Sequence, residues 1–196
     1  MLEKLNALDT KLFLFLNSHH NAFFDPIMYW ASNKLIWTPL YLFIVILIVM
    51  AYKKRSILIF ICIAILITLS DQLSSHLIKP WAKRLRPSHN PAIESMVHLS
   101  KAGPGGLYGF VSGHATNSFA LLVFLAVILP KKFNWLKWVL CFWALLICYS
   151  RVYVGVHYPG DITGGILLGS IVGFAVGSFY KWIRRFFEHR GLTVEH

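Results

Sequence analysis

Acidic residues are scarce: eight Asp and Glu stand against 19 Lys and Arg in 196 positions, and only 14% of the chain is charged. That excludes the surface of an ordinary soluble domain, where about a quarter of residues are charged and both signs mix. Cysteine is equally sparse. Cys62, Cys141 and Cys148 lie inside apolar runs at no metal-ligand spacing, so they indicate neither a disulfide framework nor a cysteine zinc site, and buried packing is their expected role. No repeat, low-complexity tract or compositional break marks a second domain, so residues 1–196 read as one. A secretory leader is not expected either, because the apolar run from Leu12 to Leu16 is short and no small-residue cleavage site follows it. The first membrane helix then directs insertion.

What the chain has in quantity is apolar sequence, 57% of its residues with a mean hydropathy of +0.60. This places it in the membrane class. Its net charge of +11 does not indicate nucleic acid, because the cations sit in short clusters between apolar runs rather than along one polar face. A bilayer core about 30 Å thick needs about 20 apolar residues per helix. Five stretches approach that length: Leu35 to Tyr52, Ser56 to Ile78, Ser112 to Leu129, Trp135 to Tyr153 and Asp161 to Ile183. The expected fold class is therefore all-α, a polytopic membrane helical bundle with five transmembrane helices.

Lys53-Lys54-Arg55, then Lys131, Lys132 and Lys137, then Lys181, Arg184, Arg185 and Arg190 mark three cytoplasmic places by the positive-inside rule. Alternation puts the segments before Leu35, from Lys79 to Val111 and from Arg151 to Gly160 on the outer side, and the C-terminus inside. In the first 33 residues, Leu2, Leu5, Leu8, Leu12 and Leu16 recur at helical spacing between charged residues, which predicts an interfacial amphipathic helix. Asp25-Pro26 then reads as an N-cap and first-turn proline of a short helix. A sixth spanning helix is the alternative for this segment. Gly165, Gly169, Gly173 and Gly177 form a small-residue stripe on the last helix, serving either bundle packing or a homodimer.

Three polar groups collect at outer helix ends: Lys79 to Pro87, Ser112-Gly113-His114, and Ser150 to Asp161. Each alone has a plainer reading. Lys83 and Arg84 suit a headgroup anchor, Ser112 a helix cap, and His157 with Asp161 a structural pair. Together they contain what covalent phosphoryl transfer needs: stabilisation of three equatorial oxygens, an in-line nucleophile and a proton donor for the leaving oxygen. Arg86 and Arg151 offer planar forks for phosphate and Lys79 a point charge, a clamp complete without a metal. Ser112 and Gly113 stand at a helix start, where free N–H groups cradle the same oxygens. Asp161 fixes the tautomer of a nucleophilic His157, and His114 remains as general acid.

Lys-x6-Arg-Pro, Ser-Gly-His and Ser-Arg-x5-His-x3-Asp, in this order between Lys79 and Asp161, resemble the three signature motifs of the type 2 phosphatidic acid phosphatase family, which also holds vanadium haloperoxidases and glucose-6-phosphatases. The resemblance implies phosphate binding by Lys79, Arg86, Ser112, Gly113 and Arg151, acid–base work by His114, attack by His157 and orientation by Asp161. It also implies a helical bundle, no cofactor or metal, and inhibition by vanadate. One departure is Val111, where the family commonly has proline before Ser-Gly-His.

The expected activity is hydrolysis of a lipid phosphate or diphosphate at the outer face of a bacterial cytoplasmic membrane through a phosphohistidine. Undecaprenyl diphosphate is the first choice, ahead of phosphatidylglycerol phosphate, phosphatidic acid and lipid A phosphate. The alternatives are a phosphotransferase that passes the phosphate to another lipid or sugar, and a non-catalytic membrane protein that binds an anion or lipid. Asp71 reads as a solvated helix end or a partner for an active-site arginine. The 88–111 loop, with His89, Glu94 and His98, reads as a mobile lid or entry loop rather than a metal site, and Tyr153, Tyr158 and Trp81 as interfacial aromatics.

Overall fold

The computed structural model describes residues 2–189, so Arg190, counted above among the inner cations, lies outside the described residues. The chain is built from helices: α1 (Leu2–Ser18), α2 (Phe24–Ser32), α3 (Thr38–Tyr52), α4 (Ser56–Asp71), α5 (Lys79–Ala82), α6 (Gly113–Ile128), α7 (Asn134–Tyr153) and α8 (Pro159–His189). A π-helical stretch, Gln72–Ile78, joins α4 to α5. Among the described residues, extended pairing is limited to one antiparallel bridge between Leu85 and Tyr108. An all-α fold is what lipid demands of such a sequence, because each backbone N–H and C=O must be satisfied within its own segment.

Among the described residues, three helical stretches are long and apolar enough to cross a membrane, Lys34–Ala82, Lys131–Tyr153 and Pro159–His189, and Gly113–Ile128 is a shorter apolar helix. Lys34–Ala82 is not one rod. Lys53 takes a positive φ of 49° and the chain turns through Lys53–Arg55, so that Ile44 and Ile48 of α3 join Ile59, Cys62 and Leu66 of α4 in one core. That core closes on Phe124 and Leu125 of α6, Leu140 and Ala144 of α7, and Val172 and Val176 of α8.

The glycine stripe faces inward. A Cβ at Gly165 would lie 2.7 Å from the Ser112 carbonyl oxygen, and one at Gly173 would lie 2.5 Å from that of Ala120. Gly169 meets Thr116 and Ala120, and Gly177 meets Val127. The stripe is therefore the seam between α8 and α6 of the same chain, where two backbones meet because no side chain stands between them. This corrects the homodimer expectation, since the surface that suggested it is already covered.

The amino-terminal segment also differs from its leucine pattern. Leu5, Leu8 and Leu12 point outward, while the face of α1 turned to the bundle carries Asp9, the buried Phe13 and the buried Asn17. Phe13 enters a second apolar cluster with Ile93, Ala115, Cys148, Val152, Tyr158 and Ile162. Asp25 is not the cap of α2. The Asn21 side-chain oxygen accepts the N–H of Phe23 and Phe24, and Asp25 sits inside the first turn with other partners.

Candidate active site

The three sequence groups converge at one end of the bundle. His157 lies in the short turn between α7 and α8 and is 1% exposed; Asp161, on the first turn of α8, is fully buried. Their four-residue separation across a helix start sets Asp161 Oδ2 3.3 Å from His157 Nδ1. The same oxygen accepts the Tyr158 N–H at 3.0 Å. Burial first, and then the positive fields of Arg86, Arg151 and Lys79, hold the His157 imidazole well below its usual pKa, against an opposing pull from the Gly109 backbone. The ring is thus kept neutral among cations.

Arg86 is buried, its Nε donating to the Tyr108 carbonyl at 3.2 Å and its Nη1 to that of Val156 at 3.4 Å. Burial lowers its pKa while Asp161 raises it. Arg151, from the last turn of α7, donates through Nη1 to the Ser32 hydroxyl. Lys79 approaches the start of α6, its Nζ 3.8 Å from where a Cβ on Gly113 would stand. His114, on the first turn of α6, is within electrostatic reach of Arg151, Lys34, His157 and Lys79.

Ser112 occupies the N-cap position of α6 in extended conformation, but its side chain caps nothing. Its N–H donates to the Asp161 carbonyl at 3.0 Å, which ties the second motif to the third. Ser112 Oγ and Arg151 Nε are buried without a hydrogen-bond partner among the described residues. Leaving such groups unmet costs about 1–3 kcal/mol each, a cost that an anion accepting from both removes. Val111, where proline was the expected family residue, is buried and packs towards Gly164.

Arg84, set aside as a headgroup anchor, is a structural member of the site. Its Nη1 donates to Asp161 Oδ1 at 2.7 Å and its Nη2 to Asp9 Oδ2 at 2.6 Å, while its guanidinium lies over the Tyr158 ring at 4.3 Å. Asp9 Oδ1 accepts the Gly160 N–H at 2.8 Å. The carboxylate that holds His157 is thus itself held from α1, through a fork that satisfies two acids at once. The only sequence signal for this was one acid, Asp9, beside the leucine stripe of α1.

The 88–111 segment is stitched down, contrary to the mobile lid expected of it. Arg86 and Gly109 donate backbone N–H groups to Leu107 and Arg84, Asn90 Nδ2 donates to the Tyr158 hydroxyl at 3.0 Å, and Ile93 is buried. Gly109 is required here, because a Cβ would fall 2.8 Å from Asp161 Oδ2. Tyr153 and Tyr158 are buried and hydrogen-bonded rather than interfacial, whereas Trp81 is exposed as expected. Asp71 accepts from Ser75 Oγ at 3.4 Å and, among the described residues, pairs with no arginine. Next to His114, an apolar cavity of about 370 Å³ runs between α3, α4, α6 and α7, with Ser32, Asn33 and Lys34 among its polar lining.

A buried imidazole and carboxylate among guanidinium groups, at the end of an apolar helical bundle beside an apolar cavity, suit a membrane enzyme of phosphate-ester chemistry. The PAP2 superfamily model matches residues 60–185, and the chain belongs to that superfamily of membrane lipid phosphatases. It is 36% identical over 193 residues to the lipid A 4′-phosphatase of Bacteroides thetaiotaomicron, covering 97% of this chain and 81% of that protein. It is 32% identical over 172 residues to the undecaprenyl-diphosphatase of Sulfolobus acidocaldarius, covering 85% and 75%. In fold it is similar to the transmembrane PAP2-type phosphatidylglycerolphosphate phosphatase from Bacillus subtilis, with a TM-score of 0.70 at 24% identity over 93% of this chain and 89% of that one.

Proposed function

We propose that the chain hydrolyses a phosphate monoester of lipid A, through a phosphohistidine on His157. The observation that carries the mechanism is the buried His157–Asp161 pair. With Nδ1 engaged by the carboxylate, Nε2 is the nitrogen available for attack. Arg86, Arg151 and Lys79, with the Ser112 hydroxyl and the N–H groups at the start of α6, hold the three equatorial oxygens. As Nε2 bonds to phosphorus, the bond to the leaving oxygen breaks and His114 supplies that oxygen with a proton. Water then attacks the phosphohistidine, giving a proton to His114 and releasing phosphate.

Lipid A phosphate stands ahead of the undecaprenyl diphosphate favoured on sequence, because the match to a lipid A 4′-phosphatase is higher in identity and covers more of both chains. The cavity beside His114 suits an acyl chain of the substrate. We read residues 1–196 as one catalytic domain with five spans, α3, α4, α6, α7 and α8, in a bacterial cytoplasmic membrane, the site facing outward and the C-terminus inward. Labelling the C-terminal tail from outside intact cells tests that topology, and ready labelling overturns it.

Phosphate release by purified protein in detergent, with chelator present, tests the activity. Turnover on lipid A is expected to exceed that on undecaprenyl diphosphate, with a loss of at least about a hundredfold in both His157→Ala and His114→Ala. Turnover surviving in His157→Ala refutes the covalent route, and a preference for the isoprenoid refutes the substrate.

A further inference from the structure

We propose that His20, Asp25 and His98 form a binding site for a first-row divalent transition metal, Zn²⁺ being the simplest occupant, separate from the phosphate-ester site. These residues come from three segments: the corner after α1, the first turn of α2 and the 88–111 segment. Their ligand atoms all lie within 4.8 Å of one another. His98 Nε2 and Asp25 Oδ1 are 3.1 Å apart, close to the spacing of two donors on one tetrahedral zinc ion. The His20 and His98 rings lie face to face, 3.6 Å between centroids and 5° between planes, so the exposed His20 ring has to turn about its side-chain bonds to aim a nitrogen at an ion held by the other two.

Two imidazoles and one carboxylate make a nitrogen-rich set that suits zinc and its neighbours rather than calcium or magnesium. The set is also held from behind. The Asn17 side chain accepts the His98 N–H at 2.8 Å and donates to the His98 carbonyl at 3.1 Å, fixing the backbone of one ligand. The Tyr153 hydroxyl donates to Asp25 Oδ1 at 2.9 Å and accepts the Asn21 N–H at 3.1 Å, fixing a second ligand. Such outer partners are what orient metal ligands and tune their affinity. His20 is exposed and leaves a path for entry.

The site would act as a clasp. Tyr153 lies two residues beyond Arg151, and Asn17 also donates to the Tyr153 carbonyl at 2.8 Å. A metal there joins the amino-terminal hairpin, the outer segment and the end of α7 at a single point. None of its ligands belongs to the phosphate clamp, so its role is structural.

Zn²⁺ titrated into chelator-stripped, full-length protein in detergent, read through a chromophoric competitor, tests the site, together with the absorption spectrum of the Co²⁺ form. One Zn²⁺ per chain is expected, with four- or five-coordinate Co²⁺ bands. His20→Ala and Asp25→Asn are each expected to weaken binding at least about tenfold, while His19→Ala leaves it unchanged. Zn²⁺ should raise the melting temperature of the wild-type chain and not that of His20→Ala, whose exposed position leaves the fold intact. Absence of saturable binding overturns the site, as does binding that survives undiminished in both His20→Ala and His98→Ala.

Discussion

The bundle is held in two different ways at two different depths. Along the α6–α8 seam, Gly165, Gly169 and Gly173 bring backbone against backbone, Gly177 takes the Val127 side chain, and contact is made by shape alone. At the catalytic end the contacts are directional: Arg84 joins Asp9 to Asp161, Asp161 holds His157, and Asn17 reaches Val152 and Tyr153. The seam has no alternative arrangement at the same distance, because backbone atoms cannot give way. The polar ring can lose one bond and keep the rest. Damage should therefore be all-or-none in the first region and graded in the second.

The largest effect is expected from Gly169→Leu, which puts a side chain where Thr116 and Ala120 of α6 already stand. Both the cooperative melt in detergent and phosphate release should disappear together. A folded, active variant would show that the seam is not what sets the helix spacing.

Next comes Asp161→Asn, which removes charge but little volume. Turnover should fall about a hundredfold or more while the helices stay assembled by far-ultraviolet circular dichroism, since the amide neither favours the right tautomer nor stabilises the imidazolium. Loss of the helical signal itself would move Asp161 from orientation to folding.

Smaller again are Arg84→Gln and Asp9→Asn, each expected to lower kcat about tenfold with KM nearly constant, because they shift Asp161 without touching phosphate. Their double variant should lose no more than the larger single one, as members of one chain of contacts do. Arg84→Lys should not fully restore the rate, because a single ammonium lacks the planar fork whose two nitrogens set Asp9 and Asp161 at their spacing. Additive losses, or a rise in KM alone, would break the proposed link from α1 to the nucleophile.

The smallest effect is on pH dependence. A nucleophile must be neutral, so the acid limb of kcat/KM should follow His157 and lie below the ordinary imidazole value of about 6.5. Removing one cation by Arg86→Gln lets the ring hold its proton to higher pH, and the limb should move upward even as the rate falls. A downward shift would contradict the placement of Arg86 beside His157.

Much of this architecture was visible in the sequence, for a definite physical reason. Lys79, Arg86, Ser112, Gly113, His114, Arg151, His157 and Asp161 sit in short motifs at helix ends, where spacing along the chain nearly equals spacing in space. The apolar runs likewise announce their helices. What stayed hidden depends on contacts across the chain. Arg84 looked like any juxtamembrane cation because one of its acids is 75 residues away. The 88–111 segment looked loose because its anchors, Asn17 in α1 and Tyr158 in the turn before α8, are far from it in sequence. His20, Asp25 and His98 had no common spacing to reveal them. The leucines of α1 drew notice to a mostly exposed stripe, since the side that reaches the site carries Asp9, Phe13 and Asn17, with Leu16 alone of that pattern packed against the Phe13 cluster.

Asp9 also places a practical demand on any handling of this protein. A purification tag that pulls on the amino terminus, or a cut that shortens α1 in search of better crystals, would loosen the far end of a lever whose near end holds the His157 ring proposed to react. Such a preparation could melt normally and still be a poor catalyst.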